Sequence, residues 1–167
     1  MDTRSKILDT QAISKKINRI AWQIYEDNIV HNEIVIVGVC GRGEVLACMI
    51  SKIIHKISPI KTILATINLD KDKPYLSQIN INLNTVDYTN KVVIVVDDVL
   101  NSGKTLMYAT KYFLTTPLIK LSTAVLIDRT HNRFPIKADF VGLALATTLH
   151  EYVTVVLDGD IQGVYLS

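Results

Sequence analysis

Cysteine is scarce in this chain, with two in 167 residues, Cys40 and Cys48. Neither has a second cysteine or a histidine pair at ligand spacing, which excludes a disulfide framework and a Cys/His metal site. Both read as reduced thiols, Cys48 in the core. Long apolar runs are also absent. No stretch approaches the roughly 18 apolar residues of a membrane span. Residues 1–6, Met-Asp-Thr-Arg-Ser-Lys, lack the apolar centre of an export signal. The expectation is a cytoplasmic protein with no membrane partner. The net charge is only +2, too small to demand a nucleic-acid partner, and it suits a small anionic ligand. No internal repeat and no linker divides the chain. Its length fits one domain over residues 1–167 with a sizeable core and is marginal for two.

Apolar residues make up 49% of the sequence, and they fall into two periodicities. Ile13, Ile17, Ile20 and Ile24 share one face of a helix expected over 7–28, with Asp9 or Thr10 as its cap. Leu46, Met49, Ile50, Ile53 and Ile57 do the same over 45–57. Short β-branched runs at 33–39, 61–69, 92–96 and 122–127 read as strands buried on both faces, with further strands at 139–145, 153–157 and 163–166. Strands alternating with helices predict an α/β fold with a mostly parallel sheet covered on both sides. Residues 68–90 are polar and irregular, and alternation at Ile79, Ile81 and Leu83 permits a short hairpin. A loop of that length in a compact domain is usually functional.

The chemistry concentrates at residues 92–105. Five apolar residues end in Asp97 and Asp98. A polar turn, Asn101-Ser102-Gly103, follows, and Lys104-Thr105 open a helix. The first amides of a helix lack partners within it and favour an anion. Gly103 lets the backbone come close, and the Ser102 and Thr105 hydroxyls add donors. An ATP-binding P-loop would need glycine five residues before Gly103, where this chain has Asp98. A second glycine turn, Gly38-Val39-Cys40-Gly41-Arg42-Gly43, lies between a strand and a helix, where open α/β sheets bind ligands. Arg42 offers a forked cation for phosphate oxygens.

Two acids followed by a small-residue loop ending Gly-Lys-Thr resemble the signature of type I phosphoribosyltransferases. The resemblance implies that fold: a mostly parallel twisted sheet flanked by helices, with a small hood formed by about 68–90 and the C-terminal segment. It implies that Asn101, Ser102, Gly103, Lys104 and Thr105 hold the 5′-phosphate of phosphoribosyl pyrophosphate, and that Asp97 and Asp98 hold the ribose hydroxyls. Gly41, Arg42 and Gly43 would hold pyrophosphate. Mg²⁺ would be held mainly by the substrate, and the catalytic set would be Asp97, Asp98 and Arg42. Dimers or larger homo-oligomers are expected.

Residues 7–13, 19–21, 96–100, 128–131 and 135–139 resemble more narrowly the bacterial pyrimidine-operon attenuator proteins, RNA-binding regulators that also have uracil phosphoribosyltransferase activity. This similarity covers roughly residues 7–142 and implies a base site near Asp128, Arg129, Phe140, Val141 and Gly142. The chain departs from the pattern in several places. Asn18 and Trp22 replace the family's Thr and His for RNA, and Leu143 replaces a lysine. Cys40 also replaces a lysine, Asn101 an aromatic residue, and Lys104 an arginine. Loss of basic groups argues against RNA, because phosphate contacts supply most RNA affinity. Three readings stay open: a uracil phosphoribosyltransferase, a nucleotide-sensing RNA-binding regulator with little activity, and a purine phosphoribosyltransferase. Purine-type relatives carry aspartate at the position of Asn101, and an amide cannot exchange a proton as that acid does. On the sequence alone, Asn101→Asp is expected to favour purines. His131 reads as a polar loop residue and not as a base.

Overall fold

A computed structural model describes residues 4–159 and 161–167. The first three residues of the polar N-terminal segment and Asp160 of the C-terminal segment lie outside the described residues. In chain order the elements are β1 (Ser5–Asp9), α1 (Thr10–Asp27), β2 (Glu33–Val39), α2 (Arg42–Ile57), β3 (Lys61–Asn68), β4 (Asn80–Ile81) and α3 (Thr85–Tyr88). They continue with β5 (Val92–Leu100), α4 (Lys104–Phe113), β6 (Lys120–Asp128), β7 (Phe140–Ala144), β8 (Val153–Val156) and β9 (Gly163–Leu166).

The main sheet runs β4-β3-β2-β5-β6-β7. All its pairs are parallel except β3–β4. The β-branched runs make it. Ile34 and Ile36 point to one face, and Val35, Val37 and Val39 to the other, and all are fully buried. On the first face they meet Ile13, Ile17, Ile20 and Ile24 of α1 and Leu46, Ile50 and Ile54 of α2. On the second they meet Leu106, Ala109 and Phe113 of α4. Apolar burial on two faces is the main stabilising force, at roughly 25 cal/mol per Å² removed from water. From β2 the chain crosses to β3 on one side and later returns as β5 on the other. The switch point of the sheet therefore falls between β2 and β5, where such sheets open a crevice at their carboxyl ends.

A second, antiparallel sheet has the order β1-β9-β8. Its first strand corrects the expected helix start. Ser5–Asp9 pairs with β9, with Asp9 opposite Gly163, and α1 begins only at Thr10. Asp9 is the cap, and its carboxylate accepts the Ala12 amide at 2.8 Å. Three other boundaries move. The strand at the centre continues through both acids to Leu100, because it stays in register with β6 as far as Asp128. Helix α2 starts at Arg42, so Gly43 lies in its first turn. The alternation at 79–83 yields one short strand, β4, which pairs with β3. Cys48 is half-buried on α2, and Cys40 is exposed.

Candidate active site

The carboxyl ends of β2 and β5 bring the two glycine turns side by side. Gly43 explains how closely. A Cβ there would lie 2.8 Å from the Val96 carbonyl oxygen and 3.1 Å from Asp97 Oδ1, so only glycine lets the start of α2 rest on the acidic end of β5. Gly43 thus serves packing, while Gly41 (φ +96°) and Arg42 form the exposed edge of the turn. Arg42 reaches across the crevice. Its Nε stands 3.7 Å from Asp98 Oδ2, and its Nη1 donates to the Val155 carbonyl of β8 at 2.9 Å.

Asp97 and Asp98 are 4% and 8% exposed. Two adjacent carboxylates so far from water are costly to ionise together. Burial, with Asp98 as the next cause, pushes the Asp97 carboxyl up from 3.8 to about 7, against the pull of Lys71. Lys71 belongs to no motif in the sequence. Its Nζ stands 3.6 Å from Asp97 Oδ1. It sits on a turn in which Asp70 accepts the Asp72 and Lys73 amides at 2.9 and 3.0 Å. The Asp72 carbonyl accepts in turn from Lys104 Nζ at 2.7 Å. The turn after β3 is thereby tied across the crevice to β5 and α4. No signal short of the fold joins residue 71 to residue 97.

Residues 101–105 form the floor of a cleft of about 250 Å³, also lined by Lys71, Asp97 and Arg133. Gly103 is the N-cap of α4 in the left-handed region, φ +84°. A side chain there would be strained and would strike Ile136 Cγ2 at 2.7 Å. Ser102 Oγ accepts the Lys104 amide at 3.3 Å, and the Ser102 carbonyl accepts the Arg133 and Phe134 amides at 2.8 and 3.0 Å. The loop after β6 therefore clamps the turn. A second cleft of about 310 Å³ continues from the first, sharing Asn101, Ser102 and Arg133 and adding Arg129, His131, Leu149 and Tyr152.

The residues expected around the base divide. Asp128 lies at the carboxyl edge of β6, where its Oδ1 accepts the Thr130 amide at 2.8 Å. Arg129 is 5% exposed, and its guanidinium is already occupied. It donates to Thr147 Oγ1 at 3.0 Å, Asn101 Oδ1 at 3.2 Å, and the carbonyls of Thr148 and Glu151 at 3.3 and 2.5 Å. Phe140, Val141 and Gly142 are not at that edge. Phe140 pairs with Ala124, four residues before Asp128 pairs with Ala144, and it is buried in the core. The carbonyls of Val141 and Gly142 accept from Arg19 of α1. These three residues anchor α1, and Leu149 and Tyr152 line the cleft in their stead. His131 Nε2 lies 2.5 Å from the Thr147 carbonyl, bracing the same loop as Arg129.

No cluster of three or more His, Cys, Asp or Glu side chains suited to a metal forms among the described residues. The donor set available is Asp97 and Asp98, two hard oxygen ligands beside an anion-favouring turn. Such hard oxygen donors would suit a Mg²⁺ ion, which would supply charge neutralisation beside the turn.

Residues 3–157 match the phosphoribosyl transferase domain. The chain belongs to the phosphoribosyl transferase family. As a phosphoribosyltransferase it falls among the pentosyl-transferring glycosyltransferases. It is 37% identical over 160 residues to the bifunctional protein PyrR of Staphylococcus aureus strain bovine RF122 / ET3-1, covering 91% of both chains. It is 36% identical to that of strain JH9 over the same shares. Among solved structures, a hypoxanthine phosphoribosyl transferase of Trypanosoma cruzi superposes with a TM-score of 0.73 at 21% identity, over 88% of this chain and 81% of that one. A hypoxanthine-guanine phosphoribosyltransferase of Bacillus anthracis gives 0.72 at 21% identity, over 89% and 84%. At such identity these two establish the type I fold.

Proposed function

We propose that this phosphoribosyltransferase joins uracil to the ribose of phosphoribosyl pyrophosphate, giving uridine monophosphate and pyrophosphate. The observation that carries this reading is the continuity of the two clefts through Asn101, Ser102 and Arg133, with Asp97 lining the first of them and Asp98 next to it on β5. A 5′-phosphate lies on the turn 101–105, at the first amides of α4. The ribose hydroxyls donate to Asp97 and Asp98. Pyrophosphate meets Gly41, Arg42 and the Lys71 ammonium. The base enters the second cleft, against Leu149 and Tyr152.

In this reaction the bond from ribose C1′ to pyrophosphate lengthens before the base attacks, and positive charge grows on the ribose. Buried carboxylates favour that charge more in the transition state than in the ground state. Arg42 is already held by Asp98 and Val155, so it meets the leaving group with little rearrangement. Mg²⁺, bound with the substrate, supplies charge neutralisation for the departing pyrophosphate. Lys71 leaves Asp97 for pyrophosphate when the ribose takes its place, while Lys104 keeps the turn tied across the crevice through the Asp72 carbonyl.

Uracil is favoured over purines by Asn101, and the enzyme reading is favoured over RNA attenuation by α1. Arg19 on that helix is occupied by β7 carbonyls, and the exposed Asn18 side chain returns to its own helix at Ser14. Trp22 presents a half-exposed ring edge-on to Tyr25. Specific binding of a pyrimidine-operon leader RNA is therefore expected to be weak, with no tightening by uridine nucleotides in a filter-binding titration. The test of the function is nucleotide formation from phosphoribosyl pyrophosphate with uracil, hypoxanthine, guanine, xanthine and adenine. The highest kcat/KM is expected with uracil. Higher kcat/KM on a purine contradicts the assignment.

A further inference from the structure

Asn101 stands where the two clefts meet, and it lines both. Its side-chain orientation is fixed by chemistry. Arg129 is a pure donor, so the amide turns its oxygen to Nη1 at 3.2 Å. The guanidinium is buried and held in addition by Thr147, Thr148 and Glu151, so it cannot follow a rotating partner. The Asn101 Nδ2 hydrogens are given to no other described protein group. They form a fixed donor at the junction of the phosphate cleft and the base cleft.

We propose that Asn101 is the residue that selects the base, donating from Nδ2 to the carbonyl oxygen O2 on the ring carbon adjacent to the attacking nitrogen. This rests on the pyrimidine reading above and extends it to a specific contact. When uracil reacts, the N1–C1′ bond forms and the C1′–O bond breaks. The electron pair stays on pyrophosphate, and the N1 proton passes to solvent. Charge released at N1 spreads to the neighbouring carbonyl O2. A donor facing O2 therefore gains strength as the reaction proceeds, which is what makes a contact catalytic as well as binding.

Arg129 also reverses the expectation for an acid at this place. An aspartate at position 101 would pair with the buried guanidinium. That cation would hold it ionised and turned away from the cleft. It would then offer neither a proton nor a free base to a purine.

The test compares uracil with 2-thiouracil, whose sulfur accepts hydrogen bonds weakly. For wild type, kcat/KM should favour uracil. Asn101→Ala should lower the uracil value by about 10–100-fold, the range for one charge-assisted hydrogen bond. The 2-thiouracil value should fall much less, so their ratio moves toward one. A role in holding the loop would lower both bases equally. Asn101→Asp should gain nothing on hypoxanthine. An unchanged uracil to 2-thiouracil ratio in Asn101→Ala, or a rise in hypoxanthine conversion in Asn101→Asp, overturns the inference while leaving the uracil reaction standing. A wild type that converts neither pyrimidine overturns both this contact and the reading beneath it.

Discussion

The two ends of the crevice, one proposed to take the phosphate and the other the base, are held together by different kinds of contact. At the phosphate end, one strand, one turn and one helix meet within a dozen residues. Gly103 sets the left-handed cap, Gly43 lets α2 rest on Asp97, and Ser102 caps Lys104. At the base end, a single buried arginine reaches from residue 129 to residues 101, 147, 148 and 151. The first is mainly local backbone geometry, clamped by the loop after β6. The second is a long-range polar network, and its shape depends on one cation. Under the proposed reading, the two ends meet at Asn101, Ser102 and Arg133, and a change remote from those three residues should impair one end more than the other.

The largest effect is expected at the acids. Asp97→Asn and Asp98→Asn should each lower turnover on the order of 10–1000-fold by removing charge that favours the ribose cation, measured under saturating substrates. Asp97→Asn should meanwhile gain stability relative to wild type as pH rises. The carboxyl is raised in the folded protein to about 7. Both states are protonated below about 3.9, and no difference is expected there. Between that value and about 7 the unfolded chain ionises first, so wild type loses stability as pH rises and the variant does not. The gap should approach about 4 kcal/mol at most by pH 8, read from denaturant midpoints at pH 4 and pH 8. Equal midpoint differences at the two pH values would show that burial does not oppose ionisation.

The next effect separates the two ends. Arg129→Met removes four hydrogen bonds at the base end, and losing a charged partner there costs about 1.5–3 kcal/mol for each bond left unmade. The KM for the base should rise by about tenfold or more. The KM for phosphoribosyl pyrophosphate should rise less, because Arg129 touches the 101–105 turn only at the Asn101 side chain and leaves the amides of 102–105 in place. Parallel rises in both constants would break the distinction between the ends.

Gly103→Ala probes the other side. It forces a Cβ to within 2.7 Å of Ile136 at a positive φ, at a cost of about 1–3 kcal/mol. It should weaken phosphoribosyl pyrophosphate more than base. The smallest effect is expected from Lys71→Ala. Its ion pair with Asp97 is half-exposed on the lysine side, so the loss of affinity for pyrophosphate should be only several-fold, seen as product inhibition.

The same division explains what was legible in the sequence. The sheet, its two covered faces and the phosphate turn are written in runs of neighbours: 34–37, 92–96, and Gly103-Lys104-Thr105. Periodicity and turn chemistry act over such distances. Strand β1 was hidden because its five residues acquire meaning only against β9, at the far end of the chain. Lys71 and Leu149 were hidden for the same reason. Phe140 shows the opposite case. It follows a distinctive loop, yet a strand has a carboxyl and an amino end, and Phe140 opens β7 four positions from the carboxyl edge, where Asp128 pairs with Ala144. Arg129, expected near the base, lines the second cleft and also holds the Asn101 side chain, a pairing across 28 residues that no local pattern reveals.

The most direct measurement is a crystal structure with uridine monophosphate soaked into the protein. The account predicts the phosphate against the amides of residues 102–105, the ribose hydroxyls within hydrogen-bond distance of Asp97 and Asp98, and O2 of the base facing Asn101 Nδ2. A phosphate seated outside the 101–105 turn, or a base directed away from Leu149 and Tyr152, would contradict it.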